Sequence, residues 1–214
     1  MSTTRVQLID KNTTVGTAAA EDTKIVFDGN AQDFHLGIDD STDSLTLGLG
    51  TALGTTTHAR FDPIGAVTMP LQPCFHAELG STVQSNFSTG STTLQYKIER
   101  FDQNADFNTS NYTFTAPVQG RYLICANVEL SNIDNANDYM RMRMNTSNLD
   151  YYQGIMAPNL VFSADGGYFS MHMAQIVDMD ASDTCVIQIQ INSGAAQTDI
   201  VGTTANVFSG CLLA

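Results

Sequence analysis

Apolar and polar residues alternate with period two along most of this chain. Leu45, Leu47 and Leu49 alternate with Ser44, Thr46 and Gly48, and Leu94, Tyr96 and Ile98 with Gln95, Lys97 and Glu99. Met140, Met142 and Met144 alternate with Arg141, Arg143 and Asn145, and Ile187, Ile189 and Ile191 with Gln188 and Gln190. Successive side chains of a strand point to opposite faces, so each run lays an apolar row on one face of a sheet and a polar row on the other. No window of a dozen residues carries a helical period. The pattern predicts an all-β protein.

Three regions follow from where the alternation starts and stops. Residues 1–22 are rich in Thr, Ala and Gly and carry no alternation able to bury a core; they read as an extended segment. Residues 23–68 hold short strand patterns around Ile25-Val-Phe27, Phe34 to Ile38 and Leu45 to Leu49, cut by Asp28-Gly29-Asn30 and Asp39 to Asp43. Asp-Gly before a strand is a hairpin signal. So few apolar residues make a poor core for a single copy, and such a module is expected to be stable when three copies pack around an axis. After Pro63 and the prolines Pro70 and Pro73, residues 69–214 form the largest strand-rich region.

Composition narrows the function classes. Charged residues are 14% of the 214 positions, about half the usual share, and Thr, Ser, Asn, Gln and Gly replace them. The formal net charge of -13 leaves no cluster of Lys and Arg to neutralise phosphates, so nucleic acid is not an expected partner. No apolar run approaches a membrane span, and the Met-Ser-Thr-Thr-Arg-Val start lacks a signal-peptide core. The four cysteines, Cys74, Cys125, Cys185 and Cys211, have no metal-site or redox-motif spacing and read as small buried hydrophobes, with bridging between two of them left open.

Two segments carry more specific information. Asn111 to Cys125 reads as a strand ending in Tyr112 and Phe114, a tight turn through Pro117 and Gly120, and a second apolar strand, together a hairpin. Val207-Phe-Ser-Gly-Cys-Leu-Leu-Ala214 reads as a closing strand. An aromatic-x-aromatic-Thr-Ala-Pro-Val-x-Gly-x-Tyr segment followed about ninety residues later by Phe-Ser-Gly-x-Leu-Leu resembles the globular head of the complement-one-q and tumour-necrosis-factor family. The resemblance implies a C-terminal ten-stranded jelly-roll sandwich, assembly as a homotrimer, and binding rather than catalysis. Phe75 to Leu79 matches the family's opening strand, and Tyr168 to Val177 and Thr184 to Ile191 its penultimate strands. There is no collagen-like Gly-x-y stem.

The stretch Lys24 to Leu45, followed by Phe61-Asp-Pro-Ile-Gly-Ala-Val-Thr-Met-Pro70, resembles a recurring segment of tailed-bacteriophage fibre and appendage proteins. Together the two resemblances imply a virion structural protein, a trimeric fibre or decoration protein assembled in the host cytoplasm. Its N-terminal segment would dock on capsid or tail proteins, with Arg5, Val6, Leu8 and Ile9 as the anchoring residues. Its head would serve attachment to a host-surface glycan or protein. The competing readings are a non-viral trimeric adhesin and a capsid cement protein with no ligand.

Candidate chemistry is sparse. The four histidines, His35, His58, His76 and His172, are dispersed, and no nucleophile elbow, P-loop or metal-binding spacing exists, so no enzyme and no cofactor are expected. Acidic clusters at Asp39/Asp40/Asp43, Asp134/Asp138 and Asp178/Asp180/Asp183 could hold calcium, whose ligands are loop oxygens, or could simply cap their own turns. Tyr139, Arg141, Arg143, Tyr151 and Tyr152 are the candidate binding residues. Tyr with Asn and Ser is a common kit for contacting sugars and proteins. The loops over 131–137 and 147–159 are the expected recognition surface, with Arg141 or Arg143 alternatively bridging to Asp138 or a neighbouring subunit.

Overall fold

The structure, a computed structural model, describes residues 14–81 and 83–214. The chain divides into two compact units, one ending at Leu71 and the other running Gln72–Ala214.

The first unit is a single five-stranded antiparallel meander. It comprises β1 (Thr23–Phe27), β2 (Phe34–Asp39), β3 (Ser44–Leu49), β4 (Thr57–Phe61) and β5 (Val67–Thr68), in that order across the sheet. The alternation is as predicted, but its sense is inverted relative to an ordinary half-buried sheet. The registers Ile38↔Leu45↔Phe61↔Val67, Ile25↔Leu36↔Leu47↔Ala59 and Phe27↔Phe34↔Leu49 put the large apolar side chains of the strands on one face, except Val26, which lies opposite His35 on the other. The face they share is the exposed one. The opposite face carries His35, Asp39, Ser44 and Thr46, all buried. They are held by polar bonds: the His35 ring to the Gly50 carbonyl, Thr46 Oγ1 to the Gly37 carbonyl, and Arg60 Nε to Ser44 Oγ. Gly48 lies against His35, and any Cβ there would collide with the imidazole. Among the described residues of this unit, Leu53 is the only large apolar side chain that is buried.

The second unit is a jelly-roll sandwich. Its strands are β6 (Cys74–Glu78), β7 (Gln84–Phe87), β8 (Gly90–Thr93), β9 (Ile98–Asp102), β10 (Phe107–Asn108), β11 (Thr113–Thr115) and β12 (Gly120–Ile133). They continue with β13 (Tyr139–Thr146), β14 (Asp150–Met156), β15 (Gly166–Met179), β16 (Thr184–Asn192), β17 (Thr198–Ile200) and β18 (Val207–Leu212); the four-residue helix α1 (Pro158–Val161) precedes β15. One sheet has six strands in the order β10-β11-β16-β13-β14, with β8 sharing the edge of β16. The other has seven, in the order β7-β17-β12-β18-β6-β9, with β15 along the far edge of β12. The thirteen segments exceed the ten expected because short pieces such as β7, β8, β10 and β17 pair separately.

Inward-facing rows from both sheets make the core, with Met140, Met142 and Met144 facing Tyr122, Ile124, Val128 and Leu130. At one end the Phe75 ring stacks on Phe107 and Phe114 and meets Phe208 edge-on, with centroids 5.1, 4.8 and 5.0 Å away. A Cβ on Gly210 would come within 2.8 Å of the Phe75 ring and 2.6 Å of Ile124, so the glycine of the Phe-Ser-Gly segment makes room for that cluster.

Two expectations need correction. Asn111–Cys125 is not a hairpin: β11 pairs with β10 and β16 in one sheet, while β12 pairs with β15, β17 and β18 in the other. The turn through Pro117 is therefore a corner between sheets, and the buried Tyr122 hydroxyl ties it by donating to the Val118 carbonyl at 2.7 Å. A tyrosine reaching back a few residues in this way is a recurrent lock on sandwich corners. Leu94, Tyr96 and Ile98 do not share a strand face either. Residues 94–97 cross from β8 in one sheet to β9 in the other, so Leu94 and Tyr96 plug the core while Ile98 is exposed.

Asp106 sits beside this corner, with Oδ2 buried and unpartnered. Burial, and then the charge of Asp102, push its carboxyl up to about 6. The folded state thus favours the protonated acid, so this contribution to stability is complete below the ordinary carboxyl pKa and is lost as pH rises through about 6. Asp106→Asn should therefore raise the thermal midpoint at pH 7.5 and leave it nearly unchanged at pH 4, as read by calorimetry at both values. Tyr122→Phe should cost about 1 kcal/mol in urea unfolding, the typical net value of one lost intramolecular hydrogen bond.

Candidate functional site

The outer face of the six-stranded sheet collects four of the five candidate binding residues. Alternation along β13 buries Met140, Met142 and Met144 and turns Tyr139, Arg141, Arg143 and Asn145 outward. Cross-strand register then sets their partners: Arg141 lies opposite Gln190, and Arg143 between Gln188 and Tyr152. The Arg141 guanidinium stands 3.7 Å from the centroid of the Tyr152 ring and 5.3 Å from that of Tyr139, and its Nε donates to Gln190 Oε1. Stacking of this kind holds a cation flat on the sheet at small desolvation cost. Arg143 donates to Gln188 at 2.9 Å and to Asp150 at 2.6 Å; Asn145 and the Tyr152 hydroxyl also donate to Asp150. The Arg143 hydrogen bond is the main reason the Asp150 carboxyl titrates below its ordinary range.

Tyr151 does not join this surface. It lies opposite the inward-facing Met144 and packs against the core. The expected loop over 147–159 is mostly strand β14, and residues 131–133 finish β12. Arg143 bridges to Asp150 rather than to Asp138. Beside the Arg143–Asp150 pair, Asn145, Thr146, Ser147, Asn148, Leu149 and Tyr152 line an open cleft of about 520 Å³. Its walls offer a carboxylate, amides, hydroxyls and one aromatic face, the donor and acceptor set that suits a polyhydroxylated or peptide ligand.

The acidic clusters act locally. Asp39 Oδ1 accepts from the Ser41 backbone and hydroxyl, Asp134 accepts from the backbones of Ala136 and Ala195, and Asp183 from Ser147, Asn148 and the Asp180 backbone. Among the described residues no three His, Cys, Asp or Glu side chains come together in a way that could hold a metal ion. The histidines stay apart: His35 is buried in the first unit, His58 lies edge-on to Phe34, His76 lies 3.7 Å from Glu78, and His172 is exposed on β15. The expected anchoring residues Arg5, Val6, Leu8 and Ile9 lie outside the described residues.

No protein-family model matches this chain, and no curated protein matches it. Solved structures similar to it include the globular domain of the zebrafish complement 1qA protein. That domain is 16% identical over 67% of this chain and 98% of its own, with a TM-score of 0.46. Murine APRIL, in a crystal at pH 8.0, is 12% identical over 66% of this chain and 99% of its own, with a TM-score of 0.45.

Sequence reasoning missed Gln188, Gln190 and Asp150 as partners of the two arginines. The signal for the glutamines was present, since they form the polar row of β16, but the register that sets them against β13 was not.

A depressed carboxylate contributes stability above its unfolded pKa, and that contribution is lost as pH falls through its folded value. Asp150→Asn should therefore lower the urea midpoint of the head at pH 7, and the difference from the parent should shrink as pH falls below the ordinary carboxyl range.

Proposed function

We propose that this chain is a structural protein of a bacteriophage particle, a homotrimeric fibre or decoration protein that displays a jelly-roll head. The observation that carries the reading is the uncovered apolar face of the five-stranded sheet. Ile25, Phe27, Phe34, Ile38, Leu45, Leu47, Phe61 and Val67 are each 37–56% exposed on one contiguous surface. At roughly 200 Å² for a fully exposed large side chain, they leave on the order of 700 Å² of apolar surface, above what soluble monomers ordinarily show. A sheet with one apolar face is stable only when that face is packed against another layer, and the described residues of this unit supply almost no apolar core of their own. Further copies of the same chain are the occupant present whenever the chain is made. The three-fold count rests on the family resemblance; the face itself asks only for a closed assembly.

The virion assignment rests on the same residues. Lys24 to Leu45, which build much of the apolar face, are the segment that resembles phage appendage proteins. In this reading residues 1–22 dock on capsid or tail proteins and the heads face outward. Three weak sites on one mount would gain avidity through effective concentration. The Arg143–Asp150 cleft is then the surface for a host glycan or protein, and the chain performs no catalysis.

A second reading, a cement protein without a ligand, is favoured by one observation. The side chains of Arg141 and Arg143 are already engaged by Gln190, Gln188, Tyr139, Tyr152 and Asp150 within the chain. Host adsorption by particles carrying Tyr152→Ala separates the two: unchanged adsorption would leave the cement reading.

Light scattering on purified protein should give three times 23.1 kDa. Leu47→Glu should lower that mass while leaving the near-ultraviolet spectrum of the head intact. A parent protein that runs as a monomer at micromolar concentration would overturn the trimer. Particles lacking the protein on their imaged surface would overturn the virion assignment.

A further inference from the structure

Three of the four cysteines stand in a row on one face of the seven-stranded sheet. Cys74 of β6 lies directly opposite Cys211 of β18, and Cys125 of β12 lies opposite Ser209, diagonal to Cys211. All three are half-buried, and their neighbours Phe75, Gly210 and Ile124 point the other way into the core. Cys185 is remote from this row, buried on the inner face of the other sheet.

The backbone fixes what kind of pair Cys74 and Cys211 make. The Leu212 amide donates to the Pro73 carbonyl, so residues 73 and 212 are a hydrogen-bonded pair. Pro73 has no N–H to return, and Gln72 Nε2 donates to the Leu212 carbonyl at 2.7 Å in its place. The Cys74 carbonyl accepts from Gln103 on the opposite side. Pair types alternate along an antiparallel ladder, which makes Cys74 and Cys211 a non-hydrogen-bonded pair. Such pairs hold their Cα atoms about 4.5 Å apart, with the side chains at their closest. A disulfide needs Cα atoms about 4.4–6.8 Å apart. The diagonal from Cys211 to Cys125 is longer, roughly 7–8 Å. Burial, and then Cys211, raise the thiols of both Cys74 and Cys125, as expected for thiols that disfavour one another's ionised form.

We infer that Cys74 and Cys211 are a redox modification site, closed to an intrachain disulfide by a low-molecular-weight disulfide such as oxidised glutathione. One cysteine thiolate attacks a glutathione sulfur, forming a mixed disulfide and releasing one glutathione. The second cysteine, as its thiolate, attacks the cysteine sulfur of that mixed disulfide and expels the other. Two protein thiols lose two protons and two electrons, and one oxidised glutathione becomes two reduced molecules. The product staples the strand that opens the head to the strand that closes it, with no change of register. The pair stays reduced in a reducing compartment and closes on transfer to oxidising surroundings. Cys125 remains a thiol. The inference does not rest on a virion location.

The test uses the full-length protein purified under reductant, exchanged into buffer, and incubated folded with oxidised glutathione. Alkylation in guanidinium and intact-mass and peptide analysis follow. The expected result is the loss of two hydrogens, two fewer alkylated thiols, and a linked pair of peptides containing Cys74 and Cys211. Cys125→Ser should give the same link. Cys211→Ser should abolish it and leave a glutathione adduct on Cys74. An unchanged mass, a stable glutathione adduct on the parent protein, or a Cys125–Cys211 link would each overturn the assignment.

Discussion

The ring of Phe75 is the point on which the head closes. It touches Phe208 from its own sheet and Phe107 and Phe114 from the other, so one side chain of the opening strand meets the closing strand and both strands of the β10–β11 pair. The space for it comes from Gly210, and the Pro117 corner carries the chain from Phe114 in one sheet to β12 in the other. Because strands alternate, fixing Phe75 inward also fixes Cys74 and His76 outward. The thiol row on one surface is thus a by-product of the aromatic cluster on the other.

The same period-two rule produces opposite outcomes in the two units. In the head, two sheets cover each other's apolar rows and leave the polar rows, Arg141 and Arg143 among them, to solvent. In the small sheet no second layer exists among the described residues, and the side that becomes covered is the polar one, folded around His35 and Ser44. Alternation specifies that a sheet has two faces. Which face is buried depends on what is available to pack against it.

That limit marks what was legible in the sequence. The all-β class and the Met140–Met144 and Ile187–Ile191 rows could be read from local pattern, whereas β12 is legible only as far as Cys125 and β15 rests on the family resemblance over Tyr168 to Val177. The segment Asn111–Cys125 misled because a Pro-Gly turn between two apolar runs looks the same whether the runs pair or part into different sheets. Leu94, Tyr96 and Ile98 misled because a crossing segment can bury alternate residues without being a strand. Tyr151 and Tyr152 differ only in parity, and the bulge between Met140 and Met142 shows that parity counted from a distance is unsafe. The Arg143–Asp150 pair and the Cys74–Cys211 pair are both matters of register between strands, one separated by a turn and the other by nearly the whole head. No single-strand pattern contains that information.

The place of β18 has a consequence for how the head is made. It lies between β12 and β6, both of which leave the ribosome long before it does. During synthesis the slot between them must stay open, with the Phe75 cluster unroofed and two strand edges unpaired. The order in which the chain is made thus runs against the order in which the sheet is built: the central strand arrives after its neighbours. Until it arrives, the nascent head offers an edge of β12 to any other chain with a free edge.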